Sequence, residues 1–180
     1  ELIGVTTHFY QGIRKSAVAS LFTFISTLHS LCDSPAWVPG DTNGVQLDPN
    51  VEKIAQVIMP AIMETWEAED DRTAAIEICQ SFASCLNKCG PGLISPQWIE
   101  PTCQLTLQIL EKKAPSQIDP EADEDEETED SSEYESVLIS AAMDLVGAMA
   151  YVLCDSFMTP MRQFLPLLCK YYSPGRSVTD

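Results

Sequence analysis

The chain has 180 residues, and 45% of them are apolar, enough for a sizeable core, so disorder throughout is excluded. Twenty-seven Asp and Glu stand against 10 Lys and Arg, a net charge of −17 with an isoelectric point near 4.2, which repels naked nucleic acid and anionic membranes and favours basic partners. Eleven of the acids (Asp119, Glu121, Asp123, Glu124, Asp125, Glu126, Glu127, Glu129, Asp130, Glu133, Glu135) fall within seventeen residues that hold no base, and the rest of the chain carries only −6.

Helical spacing dominates from the start. Residues 13–31 read as the second helix of a pair whose first helix lies mostly before Glu1. Residues 32–49 hold Pro35, Pro39, Gly40, Gly44 and Pro49, a long linker that breaks helix without separating domains. Val51, Ile54, Ala55, Ile58, Ile62 and Trp66 then follow the 3, 4 steps of one helix face. After the acidic turn Glu67-Ala68-Glu69-Asp70-Asp71, a second face appears at Ala75, Ile78, Cys79, Phe82, Cys85 and Leu86, ended by Cys89-Gly90-Pro91-Gly92. Ser95-Pro96 opens another helix, through Ile99, Cys103, Leu107 and Leu110 to Lys113. Its partner is expected after the acidic stretch, with Leu138, Ala141, Ala142, Leu145, Val146, Met149, Val152 and Leu153 on one face, and residues 158–172 begin a further pair. Strand-like alternation is missing from the pattern.

Proline recurs inside three successive first helices, at Pro60, Pro101 and Pro166, 41 and 65 residues apart. Removing an insertion of 20 residues, 114–133, brings the second spacing to 45. The turn His8-Phe9-Tyr10-Gln11-Gly12-Ile13-Arg14 is similar to Lys170-Tyr171-Tyr172-Ser173-Pro174-Gly175-Arg176. A period in the low forties, proline in the first helix and Arg14 or Arg72 early in the second point to an all-α solenoid of HEAT repeats. About three and a half repeats are expected: the end of one in 1–31, the linker loop 32–49, one in 50–90, one in 95–155 holding the acidic loop 114–133, and the start of another in 157–180. A compact bundle is the alternative, but a bundle requires neither the period nor the recurrent proline, which normally costs a helix about 3 kcal/mol and bends it.

Several residues are candidates for binding. The acidic run reads either as an electrostatic lure for a basic ligand or as a solvated loop. On the second helices, polar stripes (Thr73, Glu77, Ser81, Ser84 and Lys88; Ser136, Ser140, Asp144, Tyr151 and Asp155) are by default solvated faces. In a solenoid they line one inner surface, where Glu77, Asp144 and Asp155, with Glu67, Glu69, Asp70 and Asp71, are placed to hold Lys or Arg side chains. For Asp70 and Asp71 a structural ladder to Arg14 or Arg72 is favoured. Ser131 and Ser132 are weak candidates for phosphorylation. Trp37, Trp66 and Trp98 read as core or loop anchors.

Catalysis finds no support. Cys79, Cys85 and Cys89 form no Cys-x-x-Cys pair, and His8 and His29 fit a helix end and a helix surface, so neither zinc nor a Cys–His nucleophile is expected. There is no phosphate-binding glycine loop and no hydrolase or zincin motif. Neither an enzyme nor a cofactor is expected. Seven cysteines mostly on apolar helical faces suggest thiols of a reducing compartment, cytosol or nucleus. No apolar run reaches the roughly 18 residues of a membrane helix, and Glu1-Leu2-Ile3-Gly4 carries neither initiator Met nor signal pattern, so a fragment of a longer chain is expected.

The words themselves carry a resemblance: His8-Phe9-Tyr10-Gln11-Gly12-Ile13-Arg14-Lys15-Ser16-Ala17-Val18, Glu77-Ile78-Cys79-Gln80-Ser81, Asn87-Lys88-Cys89-Gly90-Pro91, Gln108-Ile109-Leu110-Glu111-Lys112-Lys113-Ala114-Pro115, Glu133-Tyr134-Glu135-Ser136-Val137-Leu138-Ile139-Ser140-Ala141-Ala142 and Phe164-Leu165-Pro166-Leu167-Leu168-Cys169-Lys170-Tyr171-Tyr172. Over nearly the whole chain, the acidic insertion included, the sequence resembles the importin-beta superfamily, nearest its importin-4 branch. The resemblance implies a nuclear import receptor that shuttles between cytoplasm and nucleus. It would hold basic cargo such as histones and ribosomal proteins on its inner surface and meet Phe-Gly nucleoporins on its outer one. Cargo would be released by Ran-GTP bound to repeats outside this segment. Direct nucleic-acid and membrane contacts are not implied. The competing readings are a HEAT scaffold for a phosphatase, kinase or chromatin complex, and a histone chaperone seated in the acidic run.

Overall fold

A computed structural model describes residues 1–32, 37–38, 47–118 and 129–172, with side chains described from 133 in the last stretch. Among the described residues there are six α-helices and no strand: α1 Gln11–Leu31, α2 Pro49–Glu67, α3 Arg72–Cys89, α4 Pro96–Leu110, α5 Glu129–Leu153 and α6 Met158–Tyr171. Short 3-10 turns occupy Leu2–Val5, Pro91–Leu93, Pro115–Gln117 and Cys154–Phe157. The chain is an all-α HEAT solenoid.

Local chemistry sets the helix starts. The Asp48 carboxylate accepts from the Asn50 amide at 2.8 Å, with Pro49 in the first turn of α2. Asp71 caps α3 by accepting from the Ala74 amide at 2.9 Å. Gly90 closes α3 at φ 72°, in a region that side-chain-bearing residues rarely enter. α4 stops at Leu110 instead of Lys113, because Lys112 turns left-handed at φ 59° and the Lys113 amide folds back on the Gln108 carbonyl at 2.8 Å.

The helices form two layers. α1, α3 and α5 lie side by side in one, with α3 central; α2, α4 and α6 form the other, and Pro60, Pro101 and Pro166 each sit inside one of these outer helices. The inner helices run in one direction. Arg14 near the start of α1 meets residues just before α3, and the Phe22 ring stacks on Phe82 halfway along, with centroids 5.1 Å apart. Buried Ala17, Ala74, Ala75, Ala141, Ala142 and Ala148 leave room for such close helix approach. The faces read from spacing are the core: Val51, Ala55, Ile58, Ile62 and Trp66; Ile78, Cys79, Phe82 and Leu86; Leu107 and Leu110; Leu138, Leu145 and Met149 are all buried.

Three sequence expectations need correction. α5 starts at Glu129, inside the span assigned to the loop 114–133, and Pro115–Gln117 forms a turn with Ala114 and Ser116 buried. Acidic residue types are favourable at a helix start, where they face the positive end of the macrodipole, so the helix extends back into the acidic run. His29 is buried, not on a helix surface. The stretch Glu133–Tyr171 does contain a window of mean hydropathy 2.0, long and apolar enough by length and composition to cross a membrane. A strict run ends at Asp144, whereas the average tolerates one charge. Half of that window is buried in the protein.

Candidate functional site

The first inner seam, between α1 and α3, is held by a charged clamp. Arg14 Nε donates to Glu69 Oε2 at 2.9 Å while Nη2 donates to the other Glu69 oxygen and, at 2.9 Å, to Asp70 Oδ1. Nη1 donates to the carbonyls of His8 and Phe9 at 3.1 and 3.2 Å. The Glu69 side chain is only 1% exposed, and its Oε1 also accepts from the Asp71 amide. The Glu69 hydrogen bond, with the nearby carboxylates, pushes the Arg14 value above its ordinary one despite burial. Glu69, grouped by sequence with acids open to a ligand, is therefore committed to the fold. Asp71 serves as the cap of α3, leaving Asp70, Glu69 and Arg14 as the clamp.

Arg72 does a different job. It is the first residue of α3, whereas Arg14 is the fourth of α1, and its Nε donates to the Ser116 carbonyl at 3.1 Å. That bond holds the turn from which the acidic insertion leaves. Gln117 then ties the two ends of the insertion together: its Nε2 donates to the Ile109 carbonyl at 3.0 Å and to Glu135 Oε1 at 2.8 Å, and its Oε1 accepts from the Ala114 amide. Asp119, Glu121, Asp123, Glu124, Asp125, Glu126 and Glu127 lie outside the described residues, and Glu129 and Asp130 open α5.

The inner acids are not equivalent. Glu77 is half-buried, accepts from the Ser81 hydroxyl at 2.6 Å and stands 3.9 Å from Lys15 Nζ on α1. Asp144 is exposed on α5; Asp155 is exposed too, but in the 3-10 turn after that helix. Sequence reasoning missed Lys15, Tyr134 and Val137, which with Ile76 and with Glu133 of the acidic run line a groove of about 460 Å³ near the starts of α1, α3 and α5. The signal was available in the three-four spacing that puts Glu133 and Val137, or Tyr134 and Val137, on one flank.

Between the Leu2–Val5 turn, α1 and α2 lies a second groove, of about 570 Å³, lined by Leu2, Ile3, Leu21, Phe24, Val57 and Ile58. Phe24 and Val57 are more than half exposed.

Reactive groups are withdrawn. Burial pushes the thiols of Cys79 and Cys103 up to about 12. Cys85 is also raised, by its hydrogen bond to Cys89 at 3.8 Å and by burial. Among the described residues no group of three His, Cys, Asp or Glu is arranged to hold a metal ion. Trp66 is core; Trp37 lies over Gly90 and edge-on to Tyr151, 5.3 Å between centroids, and Trp98 is partly buried.

Same-direction inner helices tied turn to turn by arginines, faced by an outer layer of helices that each hold an internal proline, define a HEAT-repeat protein. No family model matches the chain. Over 180 residues it is 33% identical to the probable importin subunit beta-4 of Schizosaccharomyces pombe, covering 96% of this chain and 17% of that protein. It is 28% identical over 164 residues to importin-4 of Mus musculus, covering 89% of this chain and 14% of that protein. The chain is homologous to these two importins over nearly all of its length. It spans about one sixth of the length of these relatives.

Proposed function

We propose that this chain is a segment of a nuclear import receptor that takes up basic protein cargo, histones and ribosomal proteins being the leading class, and shuttles between cytoplasm and nucleus. Its homology to the two importins supports the receptor reading. The observation that carries the cargo reading is the placement of acids: Glu133 and Asp144 on α5 and Asp155 in the turn after it are exposed, and the stretch with seven further acids leads into α5, its ends tied by Gln117 and Glu135. Mobile or fixed, that charge favours association with a basic partner. Contacts with Phe-Gly nucleoporins, which the resemblance implies on the outer surface, would complete that role. Release by Ran-GTP would act through repeats outside this segment. The proposed role calls for no catalytic step and no cofactor.

The test is a pull-down of the full-length protein with histone cargo, with and without GTP-loaded Ran. Cargo retained without Ran-GTP and lost with it is the expected result. Cargo retained equally in both, or a tightly co-purifying phosphatase or kinase in its place, would overturn the carrier reading in favour of a scaffold.

A further inference from the structure

The groove near the starts of the inner helices is more than a stretch of acidic surface. Its lining is mixed: Ile76 of α3 with Tyr134 and Val137 of α5 supply an apolar strip beside Thr73 and Gln80, and Tyr134 and Val137 are 49% and 41% exposed. Glu133 stands at the same rim, exposed. Lys15 stands there too, from α1, and its ammonium is 3.9 Å from the Glu77 carboxylate, already engaged by Ser81. Glu77 thus has a cation across the seam, whereas among the described residues Glu133 has no ion-pair partner.

We propose that this groove receives one long basic side chain, a lysine or an arginine, from an extended partner segment. Its methylene stem lies along Ile76 and Val137, and its cationic end sits by the Tyr134 ring and Glu133. The stem–head division matches such a side chain, which buries its methylenes while keeping its charge among acids and water. A cation beside a tyrosine ring gains from the ring quadrupole as well as from the carboxylate. Charge complementarity decides the occupant: an acidic segment would meet Glu133 and the insertion that leads into α5, in a chain of net charge −17. The proposal deepens the cargo reading, on which it rests, by separating a fitted pocket from long-range attraction.

The two ideas part at an uncharged substitution. The probe is a synthetic peptide repeating Lys-Gly-Thr, titrated by calorimetry into the 180-residue chain at fixed ionic strength, with a Glu-Gly-Thr peptide as control. Tyr134→Ala leaves every charge in place, yet should weaken binding about fivefold, while Tyr134→Phe, which keeps the ring, should bind as the parent does. Glu133→Gln should weaken binding more than Asp144→Asn, although both remove one charge. Lys15→Gln should tighten it. Thermal melting of each variant separates lost binding from lost fold. If the parent binds the lysine peptide and Tyr134→Ala binds equally well, the pocket is overturned and attraction by diffuse charge stands. If the parent fails to bind the lysine peptide, or prefers the glutamate one, the cargo reading falls with it.

Discussion

The two seams of the inner layer solve the same problem with different chemistry. Between α1 and α3 a buried carboxylate, Glu69, is gripped by both nitrogens of the Arg14 fork, and two phenyl rings stack beneath. Between α3 and α5 the contacts include Arg72 on the Ser116 carbonyl, Gln117 reaching from the Ile109 carbonyl to the Glu135 carboxylate, and Trp37 over Gly90 against Tyr151. A buried ion pair is rigid and intolerant, because either partner alone is a stranded charge. A backbone carbonyl or an amide side chain makes no such demand.

That contrast can be broken most forcefully at the first seam. Phe82→Ala removes a fully buried ring in contact with Phe22 and, edge-on, Trp66, and should cost about 3–5 kcal/mol in urea unfolding. Arg14→Ala strands Glu69 and should cost about 3–5 kcal/mol as well. Adding Glu69→Gln should recover part of that loss, and a double variant as unstable as the single one would mean that Glu69 was never the group that suffers.

At the second seam smaller effects are expected. Gly90→Ala places a Cβ 2.6 Å from Trp37 Cγ at a positive φ, and should cost about 1–3 kcal/mol. In a Trp37→Ala background the steric part should vanish, so non-additivity in a double-mutant cycle is the readout. Gln117→Ala should cost about 1 kcal/mol, the net worth of a hydrogen bond or two, and should leave the α1–α3 seam unchanged by hydrogen exchange.

Alkaline pH probes the core through two of its buried thiols, Cys79 on α3 and Cys103 on α4. Cys79 and Cys103 are held near 12 when folded, against 9.0 for an ordinary thiol, so the native state keeps its protons more tightly than the unfolded one. Their contribution is intact below about 9 and is lost as pH rises from there through about 12. Cys79→Val should flatten this decline, and a stability profile unchanged by it would show that the thiol titrates alike in both states.

The smallest effect on stability is expected at the insertion. Replacing Asp119, Glu121, Asp123, Glu124, Asp125, Glu126 and Glu127 by Ser, Gly and Asn should shift stability by no more than about 0.5 kcal/mol. Stopped-flow association with a basic peptide should nevertheless slow at low salt, and the difference should shrink near physiological ionic strength, where the Debye length is about 8 Å. An unchanged rate at low salt would make the insertion a solubility device. A rise in affinity would make it a competitor for the cargo site.

Much of this was legible before any coordinates. The spacing of Val51, Ile58 and Ile62, of Ile78, Phe82 and Leu86, and of Leu138, Leu145 and Met149 named core faces that are buried, because helical period alone decides which side chains share a side. Composition and word-level resemblance reached the family. Tertiary structure decided what each polar residue is for. Glu69 and Asp70 are neighbours in one acidic turn, yet one is sealed beneath Arg14 and the other is 80% exposed, a distinction made by a helix 55 residues earlier in the chain. The groove at Lys15, Ile76 and Tyr134 gathers three helices that no local window contains. Local pattern fixes the direction of a side chain relative to its own helix, whereas charge pairing and cavities depend on which other helix arrives there, and that is settled only when the layers pack.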